Sequence, residues 1–323
     1  MKKTEAGGLP LTTVILVTYN SGADLEQCVR TLGPSEAFKV VVVDNRSVDD
    51  SVDIARRLQS EGLVARVIES PTNDGFARAV NRGIESSDPG GLFLLNPDAR
   101  ITGSDLLRLV EKAQEDPRIG ILAPLVDSGP QVPTLAAGKQ PRLWPLFTHF
   151  TGLARAFPRV QVLRGRHLYR EHHSYTQDVE WVSGCALYLA PAARSSVGTL
   201  SDRWFMYGED IELADRVLRH GFRVVLDADV VATHEIAASV NAAGSAVSTM
   251  WAENTFDFYV WRFSPGPVRR FLWRLIFSAG LGSRALLLAV KSARSGPSAP
   301  AMRARAARFR RFAGAVWTTK PAR

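Results

Sequence analysis

Short apolar runs alternate with amphipathic segments over the first 126 residues, and this alternation predicts strands that alternate with helices. The runs TTVILVT at 12–18 and FKVVVVD at 38–44 are β-branched and too short for helices, so they predict buried strands. Further strands are predicted at 64–69, 92–95 and 119–126, with helices at 24–32, 49–60, 76–85 and 104–115. This order predicts right-handed βαβ units and a mostly parallel sheet flanked by helices.

The pattern becomes irregular after residue 126. Residues 127–178 are rich in Pro, Gly, Arg and His and predict no regular element, whereas 179–189 returns to strand character. A helix at 191–195, a helix at 208–220 and strands at 223–227 and 230–233 are predicted next. From about residue 245 the pattern is helical, with breaks at SPGP (264–267) and SGPS (295–298). We therefore predict one domain over 1–245 and a helical region over 246–323.

Composition and charge refine this division. Of the 323 residues, 46% are apolar, which supports a folded core and argues against disorder. The chain carries 40 Lys and Arg and 32 Asp and Glu, yet residues 262–323 hold 14 Lys and Arg and no acid. The remainder is therefore slightly acidic, and the helical region is a basic appendage.

Several classes of protein are disfavoured by what the sequence lacks. Cys28 and Cys185 lie too far apart for a disulfide framework or a cysteine metal site, which favours a reducing cytoplasm. No apolar stretch follows the first lysines, so we expect no secretory signal. There is no P-loop, no G-x-G-x-x-G after the first strand and no G-x-S-x-G. His234-Glu235 begins like a zinc peptidase motif, but Ala238 stands where the second histidine is required.

Polar residues follow the predicted parallel strands at their carboxyl ends, where sheets of this kind bind ligands. Each group alone is compatible with a turn or a helix cap. Together they predict a binding site at one edge of the sheet. The groups are Tyr19-Asn20, Asp44-Asn45, Ser70 to Asn73, and Asn96-Pro97-Asp98.

Six segments, taken in order, resemble the motifs of family 2 glycosyltransferases with the GT-A fold. They are VTYN, VVVDNRSVDDS, NDGFARAVNRG, LLNPDA, VSGCALYL and MYGEDIELADRVLRHGFRV, and the resemblance covers about residues 10–240. NPDA, GEDIELADR and the basic helical tail are most similar to bacterial rhamnosyltransferases of cell-wall and O-antigen assembly. Galactofuranosyltransferases are close relatives. The resemblance implies a Rossmann-like nucleotide-diphospho-sugar transferase fold and transfer that inverts the anomeric centre.

The resemblance also implies a nucleotide-sugar pocket at the strand ends. Asp44 would accept the imide N–H of uracil or thymine, and Thr18 and Asn20 would flank the nucleoside. Gly75 would allow close backbone approach, and Arg78 would face phosphate oxygens. The complete implied set is Thr18, Tyr19, Asn20, Asp44, Asn45, Asn73, Gly75, Arg78 and Asn96.

A divalent cation is implied by the same resemblance. Asp98 stands where the family's DxD motif places a metal-binding carboxylate, and Mg²⁺ and Mn²⁺ prefer such hard oxygen ligands. Asn96 replaces the first acid of that motif, so we expect it to bond the ribose or a water instead. His234 matches a histidine that completes the metal shell in related enzymes, although it is also compatible with a core histidine.

The catalytic base and the acceptor side are implied at the remaining motifs. Asp210, the second acid of GED, matches the general base, while Glu209 would cap the helix or hold an acceptor hydroxyl. Trp204, Phe205 and Tyr207 are compatible with either an apolar wall for the sugar or the core. The acceptor or sugar pocket is predicted to comprise Trp181, Ser183, Gly184, Trp204, Tyr207 and Glu209.

The tail contains an apolar run, 271–290, about as long as a membrane is thick if helical. Arg274 and Arg284 interrupt it, each costing roughly 2.5–3.5 kcal/mol at a bilayer centre, which favours a helix lying in the interface. The basic stretch 302–312 would add attraction to anionic lipid. A solvated hairpin and a nucleic-acid arm are the alternatives, and an acidic first domain disfavours the latter.

These observations predict a metal-dependent rhamnosyltransferase that uses dTDP-L-rhamnose, with UDP-sugars as possible donors. The expected acceptor is a polyprenyl-diphosphate-linked saccharide, met by a peripheral protein at the cytoplasmic face of the bacterial plasma membrane. Nucleic acid is not expected as a partner. Two alternatives stay open: a galactofuranosyl- or other UDP-sugar transferase, and a non-catalytic nucleotide-sugar-binding protein.

Overall fold

A computed structural model describes residues 11–129, 132–234, 244–293 and 298–321. The chain divides into two units. The first unit comprises residues 1–137 and 174–242, and the second comprises 138–173 and 243–323. The predicted boundary at residue 245 left 138–173 in the first domain, whereas this segment groups with the C-terminal helices.

The described residues form strands and helices close to those expected from the sequence. The strands are β1 Thr12–Thr18, β2 Phe38–Asp44, β3 Arg66–Glu69, β4 Gly91–Leu95, β5 Ala99–Arg100, β6 Ile119–Asp127, β7 Ala137–Gly138, β8 Gln177–Asp178, β9 Trp181–Val182, β10 Ala186–Leu189 and β11 Arg223–His234. The helices are α1 Gly22–Leu32, α2 Ser51–Ser60, α3 Phe76–Glu85, α4 Gly103–Glu115, α5 Leu143–Thr151, α6 Leu153–Ala156, α7 Arg170–His173, α8 Pro191–Val197, α9 Glu209–Arg219, α10 Gly244–Phe263, α11 Pro267–Ser292 and α12 Ala299–Thr318.

The first unit is built on one mixed sheet with the strand order β3-β2-β1-β4-β10-β6-β11-β5, and β8 pairs with β11. The pairs β2–β3, β1–β2, β1–β4 and β6–β11 are parallel, as the strand–helix alternation predicted. Strand β10 runs antiparallel between β4 and β6. The carboxyl ends of β1, β2 and β4 therefore lie side by side at one edge.

Two strand boundaries differ from the prediction. The single strand expected at 179–189 is interrupted: β9 ends at Val182, the amide of Ser183 donates to the carbonyl of Ala136 (2.9 Å), and β10 begins at Ala186. The two strands expected at 223–227 and 230–233 are one strand, β11, whose register with β6 shifts after Asp227. Buried Asp227 pairs there with Lys112 (2.9 Å), an ion pair that the local sequence pattern did not reveal.

The core of the first unit lies between the sheet and its helices. Val14 and Leu16 of β1 and Val42 of β2 are fully buried, and they belong to one cluster with Leu25 of α1 and Leu106 of α4. Burying each such side chain stabilises the fold by roughly 1.5–3 kcal/mol, which fixes the strand ends that carry the polar residues.

The second unit has its own core, formed mainly by helices. Trp273 and Phe277 of α11 stack with their ring centroids 4.9 Å apart and share a cluster with Leu146 of α5 and Phe256 of α10. Trp273 Nε1 donates to the carbonyl of Pro141 (2.7 Å). Helix α5 was missed because the segment 127–178 is rich in Pro and Gly, although proline, here Pro145, is tolerated in a first helical turn.

Helix α11 is, by length and composition, the one helix among the described residues that is apolar enough to cross a membrane. Its two faces differ in environment. Trp273 and Phe277 face the core of the second unit, whereas Val268, Leu275 and Leu286 are exposed. The break predicted at 264–267 separates α10 from α11. Of the break predicted at 295–298, residues 295–297 lie outside the described residues.

Candidate active site

The candidate site begins where β1 and β2 end together. Thr18 and Asp44 are directly paired in the parallel register, so the two loops that follow the strands leave the sheet side by side. The Thr18 hydroxyl lies 2.8 Å from Ser21 Oγ, and the ring of Tyr19 is partly exposed. This pairing brings together residues 26 positions apart in the chain.

Asp44 and Asn45 present buried oxygen atoms that have no hydrogen-bond partner in the described part of the chain. Asp44 is only 2% exposed; its Oδ2 accepts from the amide of Ser47 (3.0 Å), while its Oδ1 has no partner. Asn45 donates from Nδ2 to Asn73 Oδ1 (2.8 Å), which leaves Asn45 Oδ1 buried and without a partner. A buried acceptor without a donor costs about 1–3 kcal/mol, so both oxygens suit a ligand that brings N–H groups.

Asn20 holds the two loops against each other. Its backbone is left-handed (φ +53°), its amide donates to Ser47 Oγ (2.9 Å), and its Oδ1 accepts from the amide of Val48 (2.8 Å). The side chain that was expected to flank the nucleoside is thus engaged in shaping the loop after β2.

Gly75 allows the loop 73–76 to contact a second loop at 205–207. It has φ +91°, and a Cβ built on it would lie 2.1 Å from the carbonyl oxygen of Phe205. That oxygen accepts from the amide of Phe76 (2.8 Å). The close approach observed here is therefore to the backbone of Phe205, a contact that the sequence did not indicate.

Two arginines on α3 have defined partners. Arg78, expected to face phosphate, lies 3.3 Å from Asp202, and both side chains are more than half exposed. Arg82 was not singled out from the sequence, yet it forms an ion pair with Asp74 and donates to Ser70 Oγ (2.9 Å). Arg82 thereby braces the loop that carries Asn73 and Gly75.

Asp98 and His234, which are 136 positions apart, meet because β5 pairs with the end of β11. His234 lies opposite Ala99 in that antiparallel pair, and its Nε2 is 3.1 Å from Asp98 Oδ1. Asp98 Oδ2 is buried and has no hydrogen-bond partner among the described residues. A carboxylate oxygen and an imidazole nitrogen side by side fit a divalent cation.

The described residues contain no cluster of three or more His, Cys, Asp or Glu that could hold a metal ion. The pair Asp98–His234 therefore fits a cation only if other ligands, such as phosphate oxygens and water, complete its shell. Asn96 contributes backbone bonds: its amide donates to the carbonyl of Cys185 (2.8 Å), and its carbonyl accepts from the amide of Ala99 (3.0 Å). Its side chain is partly exposed.

Arg100, which directly follows the NPDA motif and was not singled out from the sequence, supports the turn that carries Asp98. Its guanidinium donates to the carbonyl of Pro97 (2.5 Å) and lies 3.2 Å from Asp24 of α1. The only signal in the sequence was an arginine directly after the motif, and its burial became known from the structure. The bond to Asp24 fixes this turn to helix α1.

Asp210 and Glu209 open α9 in different environments. Asp210 Oδ2 accepts from the amide of Gly184 (3.3 Å), which orients the carboxylate toward the turn before β10. Glu209 is buried, and burial together with the neighbouring Asp210 charge raises the pKa of Glu209 to about 8. Both effects favour the protonated form of Glu209.

Tyr207 lies among the acids of the site. Burial raises the pKa of Tyr207, and the charges of Glu209, Asp98 and Asp210 raise it further. Its backbone is left-handed (φ +66°) and its ring is partly exposed, as is the ring of Phe205. These two rings, unlike those of Trp181 and Trp204, have exposed surface.

Trp181 and Trp204 are buried, which matches the core interpretation of Trp204. The Trp204 ring packs against Gly208, where an added Cβ would lie 3.1 Å from it. Ser183 Oγ accepts from the amide of Cys185 (3.3 Å). A role for these residues in an acceptor pocket stays a prediction.

Comparison with known proteins agrees with this geometry. Residues 13–171 match the family model described as glycosyl transferase family 2. The chain is also 25% identical over 298 residues to the N-acetylglucosaminyl-diphospho-decaprenol L-rhamnosyltransferase of Mycobacterium tuberculosis, with 85% of this chain and 92% of the relative covered. The chain carries a family 2 glycosyltransferase domain. The predictions of an enzyme and of this family are thereby confirmed.

Solved structures place the transferase in the GT-A fold. The mannosyltransferase PcManGT from Pyrobaculum calidifontis, in complex with GDP-Man and Mn²⁺, superposes with a TM-score of 0.59 at 18% identity and covers 98% of this chain and 89% of its own. GalNAc-T7, solved with UDP, GalNAc and Mn²⁺, gives 0.56 at 14% identity, with 79% and 51% covered. Both similarities confirm the predicted fold.

Proposed function

We propose that this transferase moves L-rhamnose from dTDP-L-rhamnose to a hydroxyl of a lipid-linked saccharide, with inversion at the anomeric carbon. The observation that carries the proposal is that the first unit contains three groups suited to this chemistry: the buried acceptors of Asp44 and Asn45, the pair Asp98–His234, and Asp210. The similarity to a relative named as an L-rhamnosyltransferase acting on a diphospho-decaprenol supports the choice of sugar and acceptor.

The nucleotide base would be held by the buried oxygens. Thymine and uracil each carry one imide N–H between two carbonyl groups, and Asp44 Oδ1 is an acceptor that lacks a donor. A hydrogen bond to a charged acceptor contributes about 1.5–3 kcal/mol. Asn45 is fixed by its bond to Asn73, so its buried oxygen is already oriented for a donor from the ligand.

The diphosphate would be held with a divalent cation by Asp98 and His234. When bound, such a cation supplies a positive charge that stabilises the departing diphosphate. Mn²⁺ in both GT-A structures named above supports this proposal. Asp98 offers its unbonded Oδ2, and His234 Nε2 lies 3.1 Å from Oδ1 of the same carboxylate.

Asp210 would act as the general base. Its carboxylate takes the proton of the acceptor hydroxyl while the oxygen forms a bond to the anomeric carbon, and the bond from that carbon to the diphosphate breaks on the opposite side. The amide of Gly184 holds Asp210 in place. Because burial and the neighbouring Asp210 charge raise the pKa of Glu209, Glu209 would donate to an acceptor hydroxyl rather than compete as a base.

The acceptor would be met at the cytoplasmic face of the plasma membrane, where the protein binds peripherally. The second unit holds 21 of the chain's 40 Lys and Arg but only 3 of its 32 Asp and Glu, a formal charge of +18. The exposed face of α11 adds apolar side chains to this basic unit. Basic charge beside an exposed apolar helix face is typical of binding to anionic lipid surfaces.

The decisive experiment is sugar transfer to an N-acetylglucosaminyl-diphospho-prenol analogue with dTDP-L-rhamnose or a UDP-sugar as donor. Faster turnover of a UDP-sugar would reject dTDP-L-rhamnose as the donor. Binding of donors without transfer to any acceptor would reject the proposed catalytic function. Asp210→Asn is expected to lower kcat by about 10²–10⁴-fold with donor affinity little changed, and Glu209→Gln is its matched control. Near wild-type kcat for Asp210→Asn would assign the base elsewhere.

A further inference from the structure

An exposed apolar patch lies in the second unit outside the basic C-terminal helices. It consists of Trp144, Phe147, Phe157, Val160 and Val162, and we name it the Trp144 patch. Five large apolar side chains exposed within 19 residues are unusual on a soluble surface, where apolar residues are commonly scattered singly. None of them has a role in the proposed transfer reaction.

Ring stacking and hydrogen bonds hold together the two segments that carry the patch. The rings of Trp144 and Phe147, one turn apart on α5, stack with centroids 5.8 Å apart. Trp144 Nε1 donates to the carbonyl of Val162 (2.7 Å), which fixes the loop 157–163 beside the helix. Within that loop, the amide of Val160 donates to the carbonyl of Phe157 (3.1 Å). The apolar side chains are therefore held out toward solvent by a defined backbone.

We propose that the Trp144 patch inserts into the interfacial region of an anionic lipid bilayer, as a contact separate in sequence from the basic C-terminal helices. The inference rests on the proposed action at a membrane surface and names a further element that makes the contact. Because the indole N–H is already bonded to Val162, the Trp144 ring enters lipid without exposing an unsatisfied donor.

The charge around the patch favours lipid over protein or sugar. Segment 138–173 carries seven Lys and Arg and one acid, and Arg159 is exposed between Phe157 and Val160 in the sequence. A two-fold symmetric contact with a second copy of the chain would bring an equally positive unit against this one, which repels. A saccharide would need polar partners beside the rings, whereas acyl chains need only the apolar surface.

The direct test places an environment-sensitive fluorophore in the patch. Cys28 and Cys185 are buried, and burial raises the pKa of each thiol to about 12, so a thiol reagent labels only an added surface cysteine. Val162→Cys, labelled with a nitrobenzoxadiazole dye, is expected to show blue-shifted and stronger emission with phosphatidylglycerol vesicles. Val231→Cys is the control, because Val231 is also exposed (49%, against 68% for Val162) but lies on β11 of the first unit.

A second pair of variants tests whether insertion contributes to binding. Val162→Asp and Val231→Asp change the net charge equally, so any difference between them reports position. Vesicle sedimentation of Val162→Asp is expected to weaken about tenfold, equivalent to ~1.4 kcal/mol, with Val231→Asp close to wild type. Unfolding curves check that both variants fold. If Val162→Asp does not fold, the double variant Phe157→Ala/Val160→Ala takes its place.

The outcomes separate this inference from the proposed function. If the wild-type protein binds the vesicles but the dye at position 162 shows no emission shift, insertion of the Trp144 patch is wrong and the proposed membrane binding stands. Failure of the wild-type protein to bind anionic vesicles overturns both the insertion of the Trp144 patch and the proposed peripheral membrane binding. If Val162→Asp abolishes self-association or transfer to a soluble acceptor while vesicle binding is unchanged, the patch is a protein or acceptor contact and the lipid assignment is wrong.

Discussion

Replacing Gly75 with alanine tests how closely the loops 73–76 and 205–207 must approach. Gly75 has φ +91° and ψ 176°, and its substitution would place Cβ 2.1 Å from the carbonyl oxygen of Phe205. Gly33 is a matched control, since it has φ +70° and ψ 176° but no atom within 4 Å of an added Cβ. The two variants therefore share the backbone strain and differ in the contact.

The expected magnitudes follow from this comparison. Alanine in this backbone region costs about 1–3 kcal/mol at either position. At Gly75 the Phe205 carbonyl must also move, which breaks its bond to the amide of Phe76 and costs a further ~1–3 kcal/mol if that amide stays unsatisfied. We expect Gly75→Ala to be less stable than Gly33→Ala by that second amount.

Activity should separate the two variants more strongly. Movement of Phe205 would displace Tyr207, which lies among Glu209, Asp98 and Asp210, and a misplacement of about 1 Å can cost about 10²-fold in rate. Urea unfolding gives the stabilities, and the rate of donor turnover gives kcat/KM. Equal unfolding free energies and equal kcat/KM for the two variants would refute the proposed role of the loop contact.

Three further predictions concern single carboxyl groups. Asp44→Asn should weaken donor binding by about 1.5–3 kcal/mol in calorimetry, because the buried charged acceptor is lost; unchanged affinity would remove Asp44 from the nucleotide site. Turnover should stop in EDTA and return with Mn²⁺, and full activity in EDTA would reject the proposed cation. Asp98→Asn should lower kcat at least about a hundredfold, and His234→Ala should need a roughly 10–100-fold higher metal concentration. Glu209 is protonated in the folded state up to about pH 8 but ionises near 4.5 when unfolded, so its presence makes stability fall as pH rises between these values. Urea unfolding in EDTA should show that fall in wild type and not in Glu209→Gln, and identical pH profiles would mean that folded Glu209 is ionised at neutral pH.

The elements of the first unit were predicted largely from sequence because their signals are local. The β-branched apolar run Thr12–Thr18 favours a buried strand whatever its neighbours in the sheet are, and the observed strand has the predicted bounds. The same holds for Phe38–Asp44 and for the helix Phe76–Glu85. Parallel strands place their carboxyl ends at one edge, so the sequence alone predicted that the polar residues after β1, β2 and β4 lie together.

The tertiary structure decided how distant residues come together at the site; the family resemblance implied His234 beside Asp98, but not the strand pairing that joins them. His234 lies 3.1 Å from Asp98 because β5 pairs with the last residues of β11, and neither strand carries a local mark of that pairing. The raised pKa of Glu209 depends on burial by the surrounding fold, which the motif GED does not encode. The helix Leu143–Thr151 is stabilised by packing in the core with Trp273, more than 120 residues later in the chain. Local periodicity specifies elements, whereas contacts across long sequence separations specify how buried charges, metal ligands and exposed apolar surfaces are placed.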